Sequence, residues 1–443
     1  MRPITRRRFV KTAGAAGVGL AVVDRNAAWT LMAPSDRVRV AVMGVNSRGH
    51  QLARAFAQQP GAEVATICDV DTRAIAKTVD HVRELTDTAP QGERDVRRVL
   101  EDASIDALVI AAPDHWHAPA ALMAMAAGKH VYLEKPASHN PREGELVVAA
   151  APRYERLVQL GTQRRSWSNV ARAMEELENG LIGRPYYAAT WYANNRPSIG
   201  RGQEVAVPDW LDYELWQGPA PRRSYKDNFV HYDWHWFWHW GTGEAGNNAT
   251  HMLDMARWGL GVDLPTRVTA AGGRYRYDDD WECGDTEIMT WEFPDKKIIT
   301  WEGRSCAPHR LDGSGGGITF HGEQGTLVID RNGYRVFDLE DKLVNEVDDT
   351  AASSDQGTVG PGDTLDAGHV ANFLEAIRGK ATLNAPIDEG HKSTMLAHLG
   401  NIASRTGHVL HCDPSTGEVK EDPDAEKLWV REYENGWEPK ATE

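Results

Sequence analysis

Gly44, Asn46 and Gly49 follow a short apolar run, Val38 to Met43, in the order G-x-N-x-x-G, with Arg48 inside the loop. A tight turn that opens a helix attracts phosphate, because the first-turn N–H groups lack intrahelical partners and the dipole end is positive. About twenty residues after the loop, a second apolar segment ends in Asp69, where a dinucleotide site places a carboxylate for a ribose diol. This spacing predicts an NAD(H) site. Asn46 stands where a second glycine is usual. Asparagine tolerates left-handed backbone, so the turn can form with the pyrophosphate slightly farther from the chain. A carboxylate at Asp69 repels a 2′-phosphate and so favours NAD over NADP, although Arg73 lies nearby in sequence.

The elements that must carry these residues alternate. Strand signals at 38–43, 63–68, 107–111, 130–133 and 157–160 are separated by helical stretches such as 48–58, 72–85 and 119–127. That order gives a parallel sheet with right-handed crossovers, which binds ligands at the carboxyl ends of its strands. Three further segments reach the same edge: Ala112 to His117 (with Asp114), Glu134-Lys135-Pro136, and Gly161 to Arg165 (with Gln163).

The second half reads differently. Helices are expected at 169–179, 248–258, 364–378 and 388–406. Strands are expected at 186–192, 267–276, 286–293, 297–304, 317–321, 325–329 and 334–337, with Asn332-Gly333 as a hairpin turn. Residues 345–364 read as a surface loop, and the last thirty residues as a polar wrap. The fold class is therefore α/β. A doubly wound Rossmann-type parallel sheet spans 35–165, and an α/β domain with a large, mostly antiparallel open sheet spans 166–410. A targeting segment and linker precede them at 1–34, and an extension follows at 411–443.

The 443 residues carry a formal charge of −15, and residues 1–28 hold six Arg/Lys against one Asp. The remainder is near −20, which argues against nucleic acid or anionic membrane as a partner. Thr5 to Lys11 is basic with a twin arginine, and an apolar run from Ala13 to Val23 leads to small residues at Asn26-Ala27-Ala28. The run is shorter than the ~20 residues needed to span a bilayer, so it reads as a targeting segment similar to a Tat signal, which exports folded proteins. The expected location is periplasmic or otherwise exported. A cofactor carried there must be loaded beforehand and held tightly. The four cysteines show no CxxC spacing, so a zinc ribbon is not expected. Cys68 reads as a packed thiol, and a Cys283–Cys306 disulfide is open.

The glycine loop, Asp114-His115-Trp116-His117, Glu134-Lys135-Pro136 and a later helix bearing His251 together resemble the Gfo/Idh/MocA oxidoreductases, over about residues 36 to 410. The resemblance implies oxidation or reduction of a secondary alcohol on a sugar or cyclitol with a nicotinamide cofactor, an oligomer, and exported relatives that keep their cofactor bound. It assigns proton exchange at the carbinol oxygen to Lys135, whose turn Pro136 would fix. Ala112, Asp114, His117, Glu134 and Gln163 fall on the cofactor edge. Burial beside a cationic nicotinamide should lower the pKa of such a lysine. His251 is a second candidate. Asn247 precedes it by four residues, on one helix face, where the family commonly has aspartate. An amide can orient an imidazole but cannot neutralise its cation.

From His231 to Trp240, tryptophan recurs at every second position. Extended, these indoles share one face, with His235, Phe237 and His239 opposite. Three readings stay open: a sugar-binding wall, an aromatic core, or a metal site from His231, His235 and His239 in helical spacing. No metal is expected. Tyr192, Asn194, Asn195, Arg196, His235, Trp238, His239 and Asp254 are weaker candidates for substrate contact. The leading reading is an exported NAD-dependent oxidoreductase acting on a carbohydrate or polyol. A second is an NAD-dependent glycosidase or lyase passing through a keto-sugar. A third is a non-catalytic carbohydrate-binding protein.

Overall fold

The computed structural model describes residues 37–330, 333–348 and 363–439. The expected targeting segment, most of the 345–364 loop and Asn332 of the hairpin turn lie outside the described residues. Among the described residues no helix is long and apolar enough to cross a membrane.

The first sheet has six parallel strands in the order β3-β2-β1-β4-β5-β6. They are β1 (Val38–Met43), β2 (Ala62–Cys68), β3 (Gln91–Glu93), β4 (Ala107–Ile110), β5 (His130–Leu133) and β6 (Val158–Leu160). The central strands are nearly continuous apolar runs because helices cover both faces. β3 and the helix Val96–Glu101 were not expected, as both are short and polar-rich. The helix expected from 119 begins at Asp114, with Pro119 inside it. Every residue from Asp114 to Ala121 is buried, so packing all round that helix overrides the proline signal.

The second sheet has nine strands in the order β14-β13-β12-β11-β7-β10-β9-β8-β15, antiparallel except for β7 beside β10. β7 is Pro185–Ala193, β8 Arg267–Gly273, β9 Thr286–Phe293, β10 Lys297–Arg304, β11 Gly316–Gly322, β12 Thr326–Ile329, β13 Gly333–Phe337, β14 Leu343–Asp348 and β15 Leu410–His411. The helices Ser168–Glu178, Thr250–Leu260 and Ile387–Thr406 supply the apolar side chains that bury one face, where Trp291 and Trp301 are fully enclosed. The other face carries exposed side chains such as Ile288, 56% accessible. The helix Asp363–Ile377 follows the second sheet in sequence, yet its Val370, Phe373 and Leu374 join the core of the first.

Residues 429–437 strap the first sheet's helices. Arg431 Nη2 donates to His115 O and its Nε to Glu143, while Trp437 meets Trp116 edge-on at 5.2 Å.

Burial lowers several imidazoles: His369 and His391 to about 4, and His398 to about 3. In the unfolded chain each takes up a proton near its ordinary 6.5, while the folded ring stays neutral. Stability must therefore fall as pH drops below 6.5, by about 1.4 kcal/mol per pH unit for each fully shifted ring. Circular dichroism melts should give a lower Tm at pH 5 than at pH 7.5, and an equal Tm would mean that these rings are charged in the native state.

Candidate active site

The carboxyl ends of β1, β2, β4 and β5 open into a cavity of about 730 Å³, within the range of cofactor and small-ligand sites. Gly44 turns at φ +82°, and a Cβ there would come within 2.5 Å of Ala112 N, so only glycine lets the loop approach the end of β4. Ser47 begins the helix Arg48–Ala57 without a side-chain cap, leaving first-turn N–H groups unclaimed by a cap. Asn46, Ser47 and Arg48 line the cavity. Gly49 does not: it packs beneath the loop, where a Cβ would strike Gly44 O.

Asp69 closes the far end. Its Oδ2 accepts from Val45 N at 2.5 Å and its Oδ1 from Asp71 N at 2.9 Å. A carboxylate has about four acceptor sites, so capacity remains for a ribose diol. Asp71 holds Arg73 (2.9 Å), which stacks on Trp210 (3.4 Å to the ring centroid). That ion pair commits the arginine that made NADP conceivable. The glycine cradle, the uncapped helix start and the carboxylate together fit NAD.

Arg48 lines the cavity with its charge already matched. It donates to Glu134 at 2.8 Å and bidentately to Asp366 at 2.6 and 2.7 Å. Gln163 Nε2 also donates to Glu134 Oε1 (3.2 Å). His117 sits between Pro136 O (2.6 Å) and Ala112 O (2.8 Å), bracing the loop after β5 against the end of β4. Asp114 accepts from Thr242 at 2.6 Å, and burial pushes its carboxyl up.

Lys135, followed by a cis bond to Pro136, points across the cavity. Its Nζ donates to Asn247 O at 2.6 Å and to Asn247 Oδ1 at 3.0 Å. Burial lowers its pKa, while the neighbouring carboxylates Glu134 and Asp114 draw it back up. The expected helix from 248 starts with a wide π turn, Ala245–Ala249, before the α-helix Thr250–Leu260. The Asn247 side chain bonds Lys135 through Oδ1 and Glu244 through Nδ2. Asn247 orients Lys135 rather than the imidazole. His251 lines the same cavity with its Nδ1 buried and without a hydrogen-bond partner. Burial and the cations Arg164 and Lys135 hold its pKa well below the ordinary value.

The aromatic stretch does not alternate. Tyr232 adopts φ +82° and a 3-10 turn follows at Asp233–Trp236, breaking the period of two. Trp234 and His235 line the cavity, stacked at 3.6 Å. His235 Nδ1 contacts Tyr232 O at 2.6 Å, and burial lowers the ring to about 3. Trp238 and His239 are not in the cavity wall: Trp238 stacks with Arg405 (4.7 Å) and His239 contacts Pro221 O (2.8 Å). His231 meets Asp71 (2.9 Å). The three histidines thus have separate partners, and among the described residues no group of three or more His, Cys, Asp or Glu could hold a metal. Trp240 is core, packed on Phe229 and Trp216. The stretch is thus divided: Trp234 and His235 line the cavity, while Trp236 and Trp240 are core.

Tyr192, Asn194 and Arg196 complete the wall, but Asn195 does not reach it. Arg196 Nη1 donates to Tyr232 Oη (2.7 Å) and its Nε to Glu244 Oε2 (2.9 Å). Glu244, Asp366 and Tyr232 were not anticipated. Only the burial of Glu244 within a Gly-rich turn distinguishes it, and that is invisible in one sequence. Cys283 and Cys306 are buried free thiols in one cluster with Trp236 and Trp281, so the disulfide left open is not formed.

Asp254 does not line the cavity. Arg165 grips it with hydrogen bonds of 2.9–3.0 Å, at side-chain exposures of 9% and 1%. Removing one partner of a buried pair costs about 3–5 kcal/mol. Urea unfolding of Asp254→Asn should show a loss of that order with bound NAD unchanged, and near-native stability with weakened substrate binding would reverse this assignment.

Two family models match the chain: an oxidoreductase family with an NAD-binding Rossmann fold over residues 38–162, and the C-terminal α/β domain of the same family over 188–317. Together they cover more than half of the sequence, and the chain belongs to the Gfo/Idh/MocA oxidoreductase family. Its first domain is accordingly an NAD-binding domain. A glycosyl hydrolase family 109 protein of Saccharopolyspora erythraea is 29% identical over 256 residues, covering 51% of this chain and 55% of that protein. One from Shewanella baltica is 32% identical over 177 residues, covering 35% and 39%. The chain thus spans about half, or less, of the length of the curated relatives it matches. Among solved structures, levoglucosan dehydrogenase in complex with NADH and levoglucosan aligns with a TM-score of 0.66 at 18% identity, over 85% of this chain and 99% of that one. The WlbA dehydrogenase from Bordetella pertussis, in complex with NADH and UDP-GlcNAcA, aligns at 0.63 and 19% identity, over 85% and 99%. Both likenesses are of fold.

Proposed function

We propose that the protein is an NAD-dependent oxidoreductase acting on a secondary alcohol of a sugar, glycoside or polyol, with Lys135 as proton carrier. The observation that carries this reading is the Lys135 ammonium, aimed into the cavity by two hydrogen bonds to Asn247 and depressed in pKa by burial. NAD, when bound, supplies the hydride acceptor. The chain supplies the rest. Lys135 Nζ, once neutral, takes the proton from the carbinol hydroxyl. His251 accepts a hydrogen bond from a neighbouring hydroxyl. Trp234 offers an apolar face to sugar C–H groups, and Tyr192, Asn194 and Arg196 offer hydroxyl partners. The N-terminal twin-arginine segment supports export with the cofactor already in place and retained through turnover.

A second reading, a glycosidase or lyase working through a transient keto-sugar, draws on the family 109 relatives. It also draws on two unprotonated imidazoles, His235 and His251, facing one cavity. Such a cycle returns its cofactor to the starting state and needs no outside acceptor.

Purified protein incubated with p-nitrophenyl glycosides and no added NAD separates the two. Nitrophenol release favours elimination, and redox exchange between added sugars favours the oxidoreductase. The purified protein should carry NAD(H) by absorbance and mass spectrometry; a protein that neither carries nor takes up NAD would overturn both. Lys135→Met should lower kcat by roughly 10²–10⁴-fold with NAD content and Tm preserved. Because its pKa is lowered, the wild-type rate of alcohol oxidation should rise with pH along a limb below the ordinary lysine range, and the variant should lack that limb.

A further inference from the structure

Glu244 lies behind the cavity wall, 1% exposed, one turn before Asn247. Its Oε2 accepts from Arg196 Nε (2.9 Å) and Ser305 Oγ (2.8 Å). Its Oε1 accepts from Arg196 Nη2 (3.3 Å), Asn247 Nδ2 (3.3 Å) and Asn248 Nδ2. An amide side chain has one donor end and one acceptor end. With Nδ2 turned to the carboxylate, the Oδ1 of Asn247 must face the other way, and there it accepts from Lys135 Nζ (3.0 Å). The same carboxylate matches the charge of Arg196, so one buried group sets both the lysine and the cationic side of the wall.

We propose that Glu244 is a positioning residue for Lys135: it fixes the Asn247 amide so that Oδ1 meets the ammonium, and it places behind that neutral amide the negative charge which Asn247 itself lacks. The π turn makes this possible. It widens the backbone between Glu244 and His251, Thr250 N bonds back to Ala245 O, and Asn247 O is used outside the helix on Lys135. The other charged groups around Lys135 are Glu134 beside it, Asp114 at the head of the helix Asp114–Ala126, and Arg48 on the helix Arg48–Ala57; the rings of His235 and His251 face it unprotonated. Glu244 adds a stabilising charge from a fourth direction.

The catalytic meaning of this device rests on Lys135 being the proton carrier, but its existence does not. The test is therefore a titration of Lys135 itself in the full chain. Competitive acetylation with acetic anhydride between pH 6 and 10, read by mass spectrometry of the Lys135 peptide, gives the midpoint. In Glu244→Gln the ammonium loses a stabilising charge, so the midpoint should move down by roughly half a pH unit or more. Adding Asn247→Asp returns a carboxylate to the lysine and should bring the midpoint back to or above the wild-type value. A folded Glu244→Gln protein with an unmoved midpoint, or a double variant that fails to recover it, overturns the proposal. Should Glu244→Gln not fold, Glu244→Asp serves. It keeps the charge but draws the carboxylate back from Asn247, so the Lys135 acetylation rate at a fixed pH should change at least twofold, and an unaltered rate overturns the proposal. A moved midpoint with turnover and its pH profile unchanged would count against the functional reading alone.

Discussion

One side chain crosses from the first sheet to the helix layer of the second. Lys135 leaves the end of β5, and both of its protein acceptors belong to Asn247, which stands on the turn leading into the helix Thr250–Leu260. That helix is packed on β7, β10 and β11. The distance between the edge of one sheet and the helices of the other is therefore read out at the ammonium group. Thr242 Oγ1, which donates to Asp114 at 2.6 Å, makes a second link of this kind at the cavity.

The same region shows how a chain can bury many charges in one place. Arg48 is matched by Glu134 and Asp366, Arg165 by Asp254, and Arg196 by Glu244. Each guanidinium meets its carboxylate with hydrogen bonds, the condition under which buried ions are tolerated. Lys135 differs, because its direct contacts are a carbonyl and an amide. Two neutral oxygens hold its direction without matching its charge, and this cation is aimed into the open space.

Much of this was legible in one sequence. The glycine loop, Asp69 and the residues after β4 and β5 follow from strand-end geometry, which local patterns report well. The partners of those residues were not legible. Asp366 reaches Arg48 across 318 positions and Glu244 reaches Arg196 across 48, and no local period encodes such contacts. The π turn was missed because its residues read as an ordinary helix start. The alternation of tryptophans misled because two backbone features, the turn at Tyr232 and the 3-10 segment after it, outrank a period of two. Asp254 looked like a site residue by its place on the helix, but only three dimensions reveal that Arg165 has claimed it.

The strap at residues 429–437 bears on the order in which this molecule can be assembled. Arg431 reaches back 316 positions to the carbonyl of His115, and Trp437 backs Trp116, itself part of the cavity wall. Contacts this distant in the chain form late, after loop closure has been paid for by nearer ones. During synthesis the first sheet emerges hundreds of residues before the segment that seals its outer side. A nucleotide arriving early would find a half-built berth, and only the finished polypeptide presents the whole one.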